Sequence, residues 1–182
     1  MTNTGVRNYK INFPLGFVLL MSITLAAYQF VTAVQTSQQS PQLTLQLIDG
    51  RKLALEDLSG HPVFITFWAT SCHSCVKEIP LLSKLYKELS PRGFEIVAIA
   101  MPYDRPDFIV QMKNELDIPY PIALDLQGQA IKAFGNIRVT PNSFLIDENG
   151  NIIKHYVGLF DITELKSSIQ TIMQNNKQRS LQ

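Results

Sequence analysis

The chain has 182 residues, with 16 Lys and Arg against 15 Asp and Glu, a net charge of +1 and 17% charged residues. So even a balance supplies neither the basic field of a nucleic-acid binder nor an acidic tail, and no nucleic-acid partner is expected. Two cysteines are too few for a small secreted fold stapled by disulfides, and the length suits one ordinary domain with a short N-terminal appendage.

Residues 1–12 read as a tail carrying Arg7 and Lys10, and residues 13–34, from Phe13 to Val34, are almost wholly apolar and uncharged. That length is close to the roughly 20 residues a helix needs to cross a bilayer. Val31-Thr32-Ala33 resembles a cleavage site. The apolar run nevertheless exceeds the roughly 7 to 15 residues of a signal core, which favours an uncleaved anchor. No Lys or Arg follows Lys10 until Arg51, so the positive-inside bias keeps the tail in the cytoplasm and exports the rest. The expected location is a bacterial inner (cytoplasmic) membrane, crossed once, with the domain on the periplasmic or extracytoplasmic side. Residues 35–41, rich in Gln and Ser and ending at Pro41, read as a linker; residues 42–175 form the domain and 176–182 a tail.

Within the domain, Leu43 to Ile48 and Lys52 to Leu55 form a hairpin around Asp49-Gly50. Val63 to Phe67 is β-branched and aromatic, suited to a buried strand. A helix is expected from Cys72 to Leu89, with Val76, Ile79, Leu82, Leu85, Tyr86 and Leu89 on its apolar face, a kink at Pro80, and an exit at Gly93. Lys77 and Glu78 are assigned to its solvated face. A buried strand at Phe94 to Ala100, a helix at Asp107 to Leu116, a short strand at Ile122 to Leu124 and a helical turn at Gln127 to Phe134 follow. Asn142 to Ile146 and Ile152 to Val157 make a second hairpin around Glu148-Asn149-Gly150. A last helix runs from Asp161, a cap with Glu164 three residues on, to Met173. This order gives a three-layer α/β fold.

Both cysteines lie in Trp68-Ala69-Thr70-Ser71-Cys72-His73-Ser74-Cys75, at a strand-to-helix junction. Backbone N–H groups and the dipole at a helix N-terminus stabilise an anion, so Cys72 is the expected nucleophilic thiolate and Cys75, one turn on, the more buried resolving thiol. A zinc site lacks two further ligands at paired spacing, since His61, His73 and His155 are scattered. Haem attachment needs His after the second cysteine, where Val76 stands. A purely structural bridge over so short a loop would stabilise little. A redox dithiol remains, its cofactor requirement limited to the Cys72–Cys75 disulfide itself, with no metal. His73, if protonated, would stabilise the Cys72 thiolate and make the couple more oxidising.

Taken together, Asp49-Gly50, Leu58-Ser59-Gly60-His61-Pro62-Val63, the Phe-Trp-Ala-Thr-x-Cys-x-x-Cys segment and Val139-Thr140-Pro141-Asn142-Ser143-Phe144-Leu145-Ile146-Asp147 resemble the TlpA-like branch of the thioredoxin superfamily, over about Leu43 to Met173. The resemblance implies a thioredoxin-like fold with an N-terminal β-hairpin extension, preceded by one transmembrane helix. It also implies an extracytoplasmic reductase of protein disulfides serving cytochrome c maturation or other envelope thiols, and a transmembrane electron donor of the DsbD or CcdA type. Thr140-Pro141 aligns with the cis-proline loop beside the dithiol, which would present Thr140 N–H and C=O to a substrate peptide. Trp68 would help form the docking surface. Thr66 stands where cytoplasmic thioredoxins carry a buried aspartate, and Tyr103 where family members carry a glutamate, leaving Asp104 as the candidate proton relay. Rivals are a disulfide oxidase or isomerase, although enzymes resembling DsbA insert a helical domain between motif and cis-proline, a peroxiredoxin-like peroxidase, and a redox-inert module holding copper with Cys72, Cys75 and His155.

Overall fold

The computed structural model describes residues 21–22 and 38–179. Met21 and Ser22 are helical; the rest of the expected anchor, and the tail before it, lie outside the described residues. Among the described residues no helix is long and apolar enough to cross a membrane.

The chain runs through β1 (Gln38–Gln39), β2 (Thr44–Leu47), β3 (Lys52–Ala54), a 3-10 turn (Leu55–Leu58), β4 (Val63–Trp68), α1 (His73–Leu89), β5 (Glu95–Ala100), α2 (Pro106–Glu115), β6 (Ile122–Leu124), α3 (Gln129–Ala133), β7 (Asn142–Ile146), β8 (Asn151–Val157) and α4 (Ile162–Arg179). One eight-stranded sheet has the order β1-β8-β7-β4-β5-β6-β2-β3. β4 pairs parallel with β5 and antiparallel with β7, and β5 pairs parallel with β6.

β4 is central and buried at all six positions, as a strand covered on both faces must be. Its alternation assigns each face: Phe64 and Trp68 pack with Cys75, Ile79, Leu82 and Leu165, while Ile65 and Phe67 pack with Val97, Phe134 and Phe144. Helices α1, α2 and α4 cover the first face, and α3 with the 3-10 turn covers the second. The expected three layers are therefore present.

Two elements depart from expectation. Gln38–Gln39, read as linker, pairs with Ile152 and Asn151 at the β8 edge, and Ser40 N–H donates to Gly150 O at 2.8 Å. The last helix passes Met173 and reaches Arg179, whose guanidinium bonds Glu148 in the β7–β8 turn. Asp161 caps that helix as expected, accepting from the N–H groups of Thr163 and Glu164.

Candidate redox site

The C-terminal end of β4 leads straight into α1, and Cys72 is the N-cap of that helix. Its Sγ accepts the Cys75 N–H at 3.2 Å and lies 3.4 Å from Ser74 Oγ, while its carbonyl accepts from Val76 N. The Cys75 N–H, a donor that an ordinary helix would direct at a capping oxygen, here faces a sulfur, the arrangement that favours a thiolate. Cys72 and Cys75 are joined as a disulfide. Cys72 is half-buried and Cys75 is 3% exposed, so only the first sulfur is open to a partner. His73 is exposed on the first turn.

The Thr140–Pro141 peptide bond is cis. Pro141 is buried, Thr140 half-buried, and Val139 beside them 54% exposed. Pro141 O accepts from Gly158 N at 2.8 Å, and Asn142 Oδ1 lies 2.8 Å from His155 Nε2, so β8 braces this loop from the side. His155 stacks on Phe144, which belongs to the second face of the sheet, whereas Cys75 belongs to the first. The three proposed copper ligands do not converge. Trp68 is only 4% exposed, so its ring supports the site from beneath instead of presenting a face to solvent.

Asp104 serves the loop that carries the motif. Its two carboxylate oxygens accept from Thr70 N and Thr70 Oγ1, each at 2.6 Å, and Oδ1 also accepts from Arg105 N at 3.0 Å. With 8% exposure this buried carboxylate ties the end of the β5–α2 loop, next to the Arg105 N-cap, to the residue two before Cys72. Thr66 is likewise engaged: Ser143 Oγ donates to its hydroxyl at 2.8 Å.

The acid beneath the dithiol is Glu78, one turn after Cys75 on α1 and 4% exposed. Its assignment to a solvated face is thus corrected. The carboxylate has one hydrogen bond, from Phe160 N to Oε1 at 3.4 Å, and borders a small internal cavity with Cys75, Trp68, Thr66 and Tyr120. Burial disfavours its charged form and pushes its pKa up to about 7, against an ordinary 4.5. A carboxyl that titrates near neutrality beside the resolving thiol can take that thiol's proton and return it. The signal was available in the sequence: Cys75, Glu78, Leu82 and Leu85 recur at helical spacing on one arc, but a charged residue is ordinarily assigned outward.

The sequence profile of the AhpC/TSA family matches residues 36–155. The chain belongs to that family. Thiol-disulfide oxidoreductase ResA of Bacillus thuringiensis subsp. konkukian is 34% identical over 128 residues, covering 69% of this chain and 71% of the relative. ResA of Bacillus subtilis is 30% identical over 148 residues, covering 78% and 82%. A solved thiol:disulfide interchange protein of the thioredoxin family from Chlorobium tepidum superposes with a TM-score of 0.69 at 26% identity, covering 75% of this chain and 97% of its own. This AhpC/TSA family member therefore has a thioredoxin-like fold and is a thiol-disulfide oxidoreductase, and its Cys72 and Cys75 are paired as a disulfide. Between Cys75 and Pro141 the chain is occupied by the rest of α1, β5, α2, β6 and α3, all packed into the sheet layers, which leaves no inserted helical domain.

Proposed function

We propose that the protein reduces disulfides of exported proteins by dithiol exchange. The observation that carries this reading is the pairing of a half-open N-cap sulfur, Cys72, with a buried second sulfur, Cys75, lying over a carboxyl that titrates near neutrality. In the reduced enzyme the Cys72 thiolate attacks one sulfur of a substrate disulfide; a mixed disulfide forms and the other substrate sulfur leaves as a thiolate that takes up a proton. Cys75 gives its proton to Glu78 and attacks Cys72 Sγ, which restores the Cys72–Cys75 disulfide and releases the second substrate thiolate. That thiolate is protonated in turn. Two electrons pass to the substrate, and the enzyme uses no metal and no organic cofactor. The substrate peptide lies along Thr140 and Pro141, with Trp68 holding the floor of the site and His73 on the open rim.

The sequence supports an anchor at residues 13–34 and export of the domain, so the site works at the extracytoplasmic face of a bacterial inner membrane. An exported dithiol needs a transmembrane electron donor of the DsbD or CcdA type to be reduced again, and cytochrome c maturation or repair of envelope thiols are the duties that fit. Reporter fusions after Val34 are expected to be active only outside the cytoplasm; activity confined to the cytoplasm would refute this topology. Direction is tested by equilibrating the domain from Gln38 onward with defined glutathione ratios. The expected potential lies nearer thioredoxin's, about −270 mV, than DsbA's, about −120 mV, and a value above about −160 mV would make the protein an oxidase.

A further inference from the structure

The cavity under Cys75 leaves about 10 Å³ open to the centre of a water molecule. That is about the smallest space that holds one water, and such a site is occupied only where two to four polar groups converge. Here they do. Trp68 Nε1 is buried and has no protein partner, Glu78 has one hydrogen bond and Oε2 has none, and Tyr120 is 2% exposed. Thr66 receives the Ser143 proton, so its own hydroxyl proton is left to donate into the same space. All four residues line the cavity, with Ile79, Leu82, Ala98 and Ile118 closing it by apolar surface.

We propose that this cavity is a one-water site, held by the Trp68 indole N–H, through which the proton of Cys75 reaches Glu78, and that Trp68 is thereby a positioning residue for the exchange reaction. The inference rests on Glu78 being the proton acceptor of Cys75. A buried indole N–H without a partner carries an uncompensated desolvation penalty, which a bound water accepting that hydrogen bond removes. The water then has protons to donate to Glu78 and a lone pair to accept from Cys75. In the relay the S–H bond of Cys75 breaks as a proton passes to the water, the water gives up another to Glu78 Oε2, and the water is unchanged. Apart from Glu78, the titratable groups lining the cavity are Cys75 on α1 and Tyr120 ahead of β6; β4 contributes only Thr66 and Trp68, and β5 only Ala98. Burial raises the Tyr120 pKa further, so its hydroxyl stays neutral and can donate or accept without competing as a base.

Trp68 is the only tryptophan in the chain, so its indole proton is a single assigned NMR signal. In the wild-type oxidised protein that signal is expected to show a cross-relaxation peak to a long-lived water. Absence of the peak overturns the proposal, as does a peak that vanishes in Tyr120→Phe, because it would then come from hydroxyl exchange. In Trp68→Phe, which keeps a ring and deletes the N–H, the Glu78 titration followed by carboxyl ¹³C shift is expected to move up by about one pH unit, since the water loses its anchor and the carboxylate its donor. An unmoved midpoint in a folded variant overturns it; if the variant does not fold, the wild-type cross-peak decides. Neither readout uses reductase activity, so failure here is distinct from failure of the proposed function.

Discussion

Cys72→Ser is expected to lose insulin-reducing activity completely, whereas Cys75→Ala keeps the first half of the reaction and accumulates a covalent complex with its client. The asymmetry follows from position. Only Cys72 combines exposure with the Cys75 N–H aimed at its sulfur, so only it can start exchange, while Cys75 at 3% exposure can reach no sulfur except that of Cys72. In the reduced protein Cys72 is therefore expected to alkylate first, with an apparent pKa below the free-thiol value of about 8.5. Iodoacetamide kinetics against pH, read by mass spectrometry, check the order. Faster labelling of Cys75, or clients trapped by Cys72→Ser and not by Cys75→Ala, would reverse the assignment.

Glu78→Gln is expected to have opposite effects on stability and on rate. The folded-state pKa of Glu78 lies near 7 against an ordinary 4.5, so the folded protein holds the proton more tightly than the unfolded chain does. Stability from this group is complete below about pH 4.5, falls as pH rises through the interval, and is fully lost above about pH 7. The variant removes that loss: at pH 8 its unfolding free energy exceeds that of the wild type by up to about 3 kcal/mol, and at pH 4 the two coincide. Urea unfolding of the oxidised proteins at both pH values measures the difference. The same substitution takes away the acceptor for the Cys75 proton, so the resolving step near pH 7 is expected to slow by about 10²-fold, at the low end of general-base effects. A variant no more stable at pH 8, or resolving as fast as the wild type, would show that Glu78 is a packing residue.

Much of the scaffold could be read before any coordinates. Among the described residues, strand, helix and hairpin patterning located β2 to β8, α1, α2, α3 and the start of α4 to within a few residues, because each has a period or a turn signal of its own; the end of α4 ran six residues past the expected Met173. β1 had neither: two glutamines carry no alternation, and they pair with β8 through backbone groups and one side-chain bond, from Gln39 Nε2 to Asn151 Oδ1. The dithiol was readable because it is a local motif, whereas the cis bond before Pro141 was readable only through the resemblance to the TlpA-like branch. The roles of Glu78 and Asp104 were misread, although the arc that carries Glu78 has the helical spacing, for one reason in two forms. Burial of Glu78 depends on which arc of α1 meets the sheet, and the partner of Asp104 is 34 residues away in sequence. Asp104 was expected as a proton relay; the structure gives both its oxygens to Thr70 and places Glu78 in the cavity beside Cys75.

The bond between Asp104 and Thr70 bears on how the motif could be moved to another protein. Thr70 offers two donors, its N–H and its hydroxyl, and both are answered from a different strand-end loop. An octapeptide copied from Trp68 to Cys75 into a foreign strand-to-helix junction would arrive with those donors unanswered, at about 1–3 kcal/mol each if they become buried there. The portable unit is thus discontinuous: the octapeptide together with a carboxylate at the end of the neighbouring β5–α2 connection.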